Sequence, residues 1–227
     1  MNTKERILQI SYENKLSHLG SCMSALDIIE SIYDVKDADE KFVLSGGHAG
    51  LALYVVLEKH GLVDDAEEVL HRMGIHPERS REDHIDASTG SLGQGLPIAV
   101  GMALGDRSKN VYCTITDGEM AEGSIWESLR IMDKFNITNL KVVVNANGWS
   151  AYDSVDPYSL QQAITGFGLH CVVVDGHDQE TLKKALNYDF TLPTVILAKT
   201  SVERYTGLEG LDAHYKVLTK EQYEGKR

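Results

Sequence analysis

Apolar positions along the chain follow two spacings, and these predict strands that alternate with helices. Near-continuous Val, Ile and Leu runs are typical of strands covered on both faces, whereas apolar residues three or four apart are typical of helices. Strands are expected over 41–45, 111–116, 140–146, 170–175 and 193–199. Helices are expected over 3–15, 24–33, 49–60, 64–72, 93–104, 121–136, 159–167 and 178–188.

The order of these elements predicts an α/β fold. Strand–helix–strand repeats require right-handed crossovers, so we expect one parallel β-sheet flanked by helices on both faces. Ser24 is placed to cap the second helix, and Gly61 to end the third. Residues 74–91 lack periodicity and form a long loop, which in a compact domain is usually functional. The polar tail from residue 200 is expected to be a loop that closes over a site.

The composition of the chain argues against several classes of function. The chain has 227 residues, 42% hydrophobic and 25% charged, which suits one large domain. Its net charge of -12 argues against sequence-independent binding to nucleic acid or to an anionic membrane. Three distant cysteines without a CxxC pair favour a reducing, cytoplasmic location. The start reads as an amphipathic helix rather than a signal peptide, and no run approaches the length of a membrane span.

Polar residues follow two of the predicted strands where they end. Asp117 and Gly118 follow strand 111–116, and Asn147 and Gly148 follow strand 140–146. Ligands of open parallel sheets bind beyond the carboxyl ends of the strands. One carboxylate and one amide oxygen suit Mg²⁺ or Ca²⁺, and Mg²⁺ usually completes its coordination with water and phosphate oxygens. A bridging cation would let an acidic protein hold a diphosphate.

Structural alternatives exist for each of these features. Asp117 could cap the helix over 121–136, and Asn147 could form a turn, since both residue types are favoured at such positions. The glycines of the loop 88–105 could cradle an anion near a helix start, although composition alone favours close packing. His18, His48 and His76 stand at separate loop ends, and a single histidine is more often structural than catalytic.

The motifs together resemble a known family. The segments "HLGSCMSALDIIESIY", "KFVLSGGHAG", "HPE", "DASTGSLGQG", "TDGEMAEGSIWESL" and "NANG" resemble the thiamine-diphosphate-binding half of transketolase, over about residues 5–200. The resemblance implies a diphosphate-binding (PP-type) fold over residues 1–227. The family's pyrimidine-binding and C-terminal domains are then expected on a partner chain.

The resemblance also implies roles for individual residues. It implies Asp117, Asn147 and the Trp149 carbonyl as ligands of Mg²⁺, for which Ca²⁺ could substitute. It implies cofactor contacts from His48, Gly90, Ser91, Leu92, Asp117, Gly118, Asn147 and His214. It implies His18, His76 and Glu122 as catalytic residues, with His18 and His76 facing the sugar and Glu122 facing the partner. Glu119 receives no role and is expected to be solvated.

The implied activity is that of a transferase that moves a two-carbon ketol unit from a ketose or its phosphate to an aldose or its phosphate. The resemblance implies that this reaction depends on thiamine diphosphate and Mg²⁺. The family's activating glutamate lies on the pyrimidine domain, so the resemblance implies an α2β2 assembly with a C-terminal partner subunit. Thr116 and Ile75 replace two glycines of the family motifs, and "SVERYTGLEG" replaces its last loop. That change keeps open a 1-deoxyxylulose-phosphate-synthase-like or other carboligase. A non-catalytic paralogue is a further alternative.

Overall fold

Five parallel strands form one sheet in this computed structural model, which describes residues 1–225. The strands are β1 (Lys41–Leu44), β2 (Val111–Thr116), β3 (Leu140–Ala146), β4 (His170–Asp175) and β5 (Thr194–Lys199). Their order across the sheet is β1-β2-β3-β5-β4. All four neighbouring pairs are parallel, and Thr116 of β2 lies beside Asn145 of β3. The carboxyl ends of β2 and β3 are therefore adjacent, so Asp117 and Asn147 follow neighbouring strands.

Helices cover both faces of this sheet. They are α1 (Thr3–Glu13), α2 (Leu19–Val35), α3 (Gly50–Lys59), α4 (Ala66–Met73), α5 (Gly95–Gly105), α6 (Gly123–Lys134), α7 (Pro157–Gly166), α8 (Gln179–Leu186), α9 (Glu203–Thr206), α10 (Asp212–Tyr215) and α11 (Lys220–Glu224). Apolar side chains of α1–α4, α8 and the tail form one core, and those of α5–α7 form the other. The expected layered α/β fold is confirmed. None of the helices within residues 1–225 is long and apolar enough to cross a membrane.

Helix α2 lies at the centre of the first core and begins earlier than predicted. Its residues 19–32 are all buried, so it has no polar face that would mark its limits in the sequence. His18 precedes it in the left-handed region, with φ 63°, and supplies no side-chain cap. The prediction of Ser24 as the cap is wrong: Ser24 lies inside the helix, where its hydroxyl accepts a hydrogen bond from Asn145 Nδ2 at 2.9 Å.

The tail after β5 is not the single loop that its polar composition predicts. It contains the short helices α9, α10 and α11, and part of it packs against α2. The backbone N–H of His18 donates to the carbonyl of His214 at 2.8 Å. At this contact, a Cβ atom added to Gly20 would stand 2.6 Å from the Cβ of Ala213, so only glycine permits the approach. The tail is thereby fixed beside the carboxyl ends of the strands.

Candidate functional site

A cavity of about 180 Å³ opens where β2 and β3 end. Its walls come from segments distant in sequence: the start of α2, the turn after β1, the glycine-rich loop before α5, and the tail. Most of the predicted site residues line it, namely His18, His48, His76, Gly90, Leu92, Gly118, Asn147, Trp149 and His214. Asp117 is buried between two of the lining residues, whereas Ser91 and Glu122 are exposed and do not line the cavity.

A larger cavity, of about 550 Å³, lies at the opposite ends of the strands, near Tyr33, Lys41 and Arg81. It contains none of the predicted site residues. Its two carboxylates are already bonded within the fold: Asp86 accepts from Lys41, and Glu40 accepts from the backbone of Asp37. The larger volume of this cavity therefore does not make it the functional site. The candidate site is the smaller cavity, because the predicted polar residues line it.

Asp117 combines a buried carboxylate with two backbone donors. Only 2% of the surface of this residue is exposed to solvent. Oδ1 accepts from the Gly118 N–H at 3.1 Å, and Oδ2 accepts from the Gly148 N–H at 2.6 Å. Burial raises the pKa of Asp117 to about 7, and these hydrogen bonds only partly oppose the rise. A nearby cation would favour the charged form and relieve the cost of burying it.

Part of the structural alternative for Asp117 also holds. The residue caps the 3₁₀ turn Gly118–Ala121, not α6, which begins at Gly123 after Glu122. Asn147 forms a turn as well, because its Oδ1 accepts from the Trp149 N–H at 3.0 Å. These local bonds hold both side chains at the strand ends, so they are compatible with a ligand site.

The oxygen atoms at this end of the sheet suit a hard cation, although the protein would supply few negative charges to it. Within residues 1–225 no group of three or more His, Cys, Asp or Glu side chains could hold a metal ion. A cation beside Asp117 and Asn147 would take one carboxylate, one amide oxygen and backbone oxygen from this chain. Phosphate oxygens and water would have to complete its shell, which is the usual pattern for Mg²⁺. The residues present therefore fit a metal–diphosphate group.

The glycine-rich loop before α5 packs closely on its neighbours. Gly90 has φ 147°, and an added Cβ would lie 2.9 Å from the His76 ring. Gly93 has φ 81°, and an added Cβ would lie 2.5 Å from Ser124 Oγ. The packing alternative for these glycines is thus correct, and the same close approach brings Gly90 and Leu92 to the cavity wall.

Three histidine rings meet over the cavity. The ring centroids of His18, His48 and His214 are 5.3 to 5.5 Å apart. Burial, together with the neighbouring histidines, lowers the pKa of His18 to about 4 and that of His48 to about 3. Burial also lowers the pKa of His214. Neutral rings can both donate and accept hydrogen bonds. The Nδ1 atoms of His18 and His214 are buried and have no hydrogen-bond partner among residues 1–225, so the fold does not use the full hydrogen-bonding capacity of these rings.

The prediction that Glu119 is solvated is wrong. It is 0% exposed and accepts hydrogen bonds from Ser45, Gly93 and Thr116. Burial raises the pKa of its carboxyl, and those bonds oppose the rise. Sequence reasoning also missed Tyr215 as a lining residue. Its position beside the predicted His214 was the only signal for it.

Comparison with known proteins assigns the chain to a family. The family described as "Transketolase, thiamine diphosphate binding domain" matches residues 6–221. The chain belongs to the transketolase family. Transketolases of Pongo abelii and Homo sapiens are 35% and 34% identical to it over 235 residues. Both alignments cover 91% of this chain and 37% of the relative, so the chain spans little more than a third of their length.

A relative of similar size also exists in this family. This protein of Phocaeicola vulgatus, described as one subunit of an apulose-4-phosphate transketolase, is 27% identical over 97% of this chain and 88% of its own length. Among solved structures, transketolase from Campylobacter jejuni superposes with a TM-score of 0.76 at 24% identity, over 96% of this chain and 41% of that one. The structural match confirms the thiamine-diphosphate-binding fold that the motifs indicate.

Proposed function

We propose that this chain is the cofactor-binding, N-terminal subunit of a split transketolase. The assembled enzyme transfers a two-carbon ketol unit from a ketose or ketose phosphate to an aldose or aldose phosphate. The observation that carries the proposal is the cavity at the ends of β2 and β3, where Asp117, Asn147 and three neutral histidines meet. Thiamine diphosphate, when bound, supplies the carbon nucleophile for this chemistry.

The buried carboxylate supports a Mg²⁺–diphosphate group at the floor of the cavity. In this proposal Asp117, Asn147 and the Trp149 carbonyl hold the cation, and Ca²⁺ can substitute for it. Gly118 lets the phosphates approach. We propose that His48, Gly90, Leu92 and His214 contact the rest of the cofactor at the cavity wall. Ser91, which lies between Gly90 and Leu92 in the sequence, is proposed to contact it from outside that wall. A cation is required because the chain has a net charge of -12 and offers the phosphates little positive charge of its own.

The histidines support a polar, hydroxylated substrate. His18 and His76 are proposed to face the sugar, with His18 hydrogen-bonding to its hydroxyl groups. Because its pKa is about 4, His18 is neutral near pH 7 and can accept as well as donate. Its Nδ1 atom has no partner among residues 1–225, so the fold itself does not fix which ring nitrogen carries the proton.

Two surface features support a partner that completes the site. Glu122 is exposed beside the glycine-rich loop, where we propose that it faces the pyrimidine-binding subunit with its activating glutamate. Helix α5 is apolar on all sides, yet Ile98 and Leu104 are each 38% exposed. A helix without a polar face is normally covered. The relative of matching length is described as a subunit, and an α2β2 assembly would let two half-sites meet.

The proposal predicts ketol transfer only from the assembled complex. Ketose phosphate and aldose phosphate pairs would be assayed with this chain alone, with the chain carrying the pyrimidine domain, and with both. We expect turnover only in the mixture with thiamine diphosphate and Mg²⁺. Full activity of this chain alone would contradict the proposal.

Asp117→Asn tests the metal–diphosphate site within that complex. The substitution removes the charge but keeps the side-chain shape. We expect at least about a hundredfold loss of cofactor affinity by calorimetry, because an amide replaces the carboxylate that is proposed to hold the cation. Relief of the buried charge offsets one lost hydrogen bond, so the unfolding free energy of the metal-free chain changes by about 1 kcal/mol or less. Unaltered affinity would place the cation elsewhere.

The tail motivates a second candidate reaction. His214 and Tyr215, which follow the segment "SVERYTGLEG" that departs from the family pattern, form part of the cavity wall. Another donor could therefore suit this cavity, as in a 1-deoxyxylulose-phosphate-synthase-like carboligase. A screen of ketose phosphates against pyruvate as donors, on the assembled complex, separates the two reactions. A complex that binds no thiamine diphosphate would instead indicate a non-catalytic paralogue.

A further inference from the structure

The buried carboxylate of Glu119 joins three separate segments of the chain. Oε1 accepts from Ser45 Oγ at 2.6 Å and from the Gly93 N–H at 2.9 Å. Oε2 accepts from the Thr116 N–H at 3.0 Å. Ser45 follows β1, Gly93 belongs to the glycine-rich loop, and Thr116 ends β2. A carboxylate with no exposed surface is costly unless such donors stabilise it, so this position is not that of an ordinary surface acid.

Ser45 extends these bonds to the beginning of α5. While its hydroxyl donates to Glu119, its Oγ accepts from the Gly95 N–H at 3.1 Å. Gly95 is the first residue of α5, and an added Cβ there would lie 2.5 Å from Ser45 Oγ. The carboxylate therefore holds two backbone N–H groups of one loop, the first directly and the second through Ser45.

The opposite side of Gly93 is also fixed. Its carbonyl accepts from Ser124 Oγ at 2.8 Å. With its N–H bound to Glu119 and its carbonyl bound to Ser124, the peptide groups flanking Gly93 cannot rotate without breaking a hydrogen bond. Gly90 and Leu92, on the preceding turn of the loop, line the cavity. Their position at the cavity wall thus depends on the anchor at Gly93.

We infer that Glu119 is a positioning residue, which holds the glycine-rich loop in the conformation that receives the cofactor. It does not line the cavity, and it acts through Gly93 and Ser45. The inference rests on the proposed cofactor site and adds to it a residue that the family motif does not mark. A hydrogen bond to a charged group is about twice as strong as a neutral one, so its loss is measurable at the loop.

Two variants of Glu119 give a graded test. Glu119→Ala removes all three acceptor contacts. Glu119→Gln keeps an amide oxygen for Ser45 and Gly93 but turns an NH₂ group toward the Thr116 N–H. We expect hydrogen exchange at the Gly93 amide to become at least about tenfold faster in Glu119→Ala, and less so in Glu119→Gln. The dissociation constant for thiamine diphosphate with Mg²⁺, measured by calorimetry on the complex with its partner, should rise in the same order.

Ser45→Ala provides a milder route if Glu119→Ala fails to fold. It removes one donor to the carboxylate and the acceptor of the Gly95 N–H, so exchange at Gly95 should accelerate. Combined with Glu119→Gln, it should raise the dissociation constant by less than the product of the two single effects, since both act on one network. Fully multiplicative effects would overturn the inference.

Matched controls separate positioning from general stability. Glu68→Gln removes a carboxylate from the exposed surface of α4 and should change neither measurement. Leu186→Ala, which shortens a buried side chain at the end of α8, should lower the thermal midpoint but leave cofactor affinity unchanged. Wild-type exchange at Gly93 in Glu119→Ala, or faster exchange with unaltered affinity, would overturn the inference. If wild-type protein binds no cofactor, the proposed function fails, and the exchange measurement still decides whether Glu119 holds the loop.

Discussion

The His48 ring sits among other ionisable rings with little access to water. His18 and His214 lie within 5.5 Å of it, centroid to centroid, and His76 lines the same cavity. A proton on His48 would have to remain poorly hydrated beside three groups that can also become positive. Burial first, and then these neighbours, hold the pKa of His48 near 3, against 6.5 for a free histidine.

This shift makes the folded state sensitive to acid. Between pH 6.5 and about 3 the unfolded chain binds a proton at His48 and the folded chain does not, so stability falls as pH falls through that window. His48→Gln should make the fall shallower, by up to about 1.4 kcal/mol per pH unit. Thermal midpoints at pH 7 and pH 5 measure the effect. Parallel pH profiles for variant and wild type would show that His48 is protonated equally in both states.

At the residue scale, the sequence predicts the positions of the proposed metal ligands better than the positions of the residues that support them. Asp117 and Asn147 each follow a recognisable strand, so their meeting at one edge follows from the parallel order. Glu119 stands two residues further on, yet its burial depends on donors from three segments that no local pattern connects. Its charge predicts solvent exposure, and tertiary contacts override that prediction.

At the scale of elements, the contact between α2 and α10 forms one side of the cavity. Gly20 lies against Ala213, and the adjacent His214 lines the site. Gly20→Ala should move α10 away from α2, because the added methyl group would stand 2.6 Å from Ala213 Cβ. Overpacking costs about 1–3 kcal/mol and the gain in helix propensity is smaller, so we expect a net loss of about 1 kcal/mol.

Gly101→Ala is the matched control for that substitution. It makes the same change inside α5, where an added Cβ meets nothing within 4 Å. Denaturant unfolding of the isolated chain should show stabilisation by up to about 1 kcal/mol for Gly101→Ala and destabilisation for Gly20→Ala. Equal shifts of the same sign would mean that the tail does not press on α2 at Gly20.

The sequence predicts the elements that a local pattern defines, and it misses the limits of those that depend on tertiary contacts. The limits of β2, β3 and β4 match the sequence prediction, since a continuous apolar run bounded by polar residues defines each of them, including β4, which is only partly buried at the edge of the sheet. The sequence pattern places the start of α2 five residues late, because this helix is buried all round and begins without a capping side chain. The helices α9, α10 and α11 have four or five residues each, too short to form without tertiary contacts, so composition predicts a loop.

At the scale of the whole molecule, α5 presents an apolar surface that the chain itself leaves open. Ile98→Lys should leave the unfolding free energy of the isolated chain within about 0.5 kcal/mol, because the side chain is 38% exposed. It should weaken assembly with the proposed partner, because a charge replaces an apolar contact. Sedimentation of the mixture measures both assembly and self-association.

Leu192→Lys is the control for that surface. Leu192 is 61% exposed and lies just before β5, at the ends of the strands opposite the proposed cofactor cavity. It should change neither stability nor assembly. If both variants assemble like the wild type, the partner does not use α5. If Ile98→Lys alone abolishes dimers of this chain, a second copy covers the helix instead.

The hydrogen bond from His18 to His214 has a consequence for how the protein is made. These residues lie at nearly opposite ends of the chain, yet both line one cavity. During synthesis the sheet and its helices can assemble as they emerge, but the cavity lacks one wall until residue 214 has left the ribosome. We therefore expect a nascent chain stalled before the tail to be folded, with this cavity still open on one side.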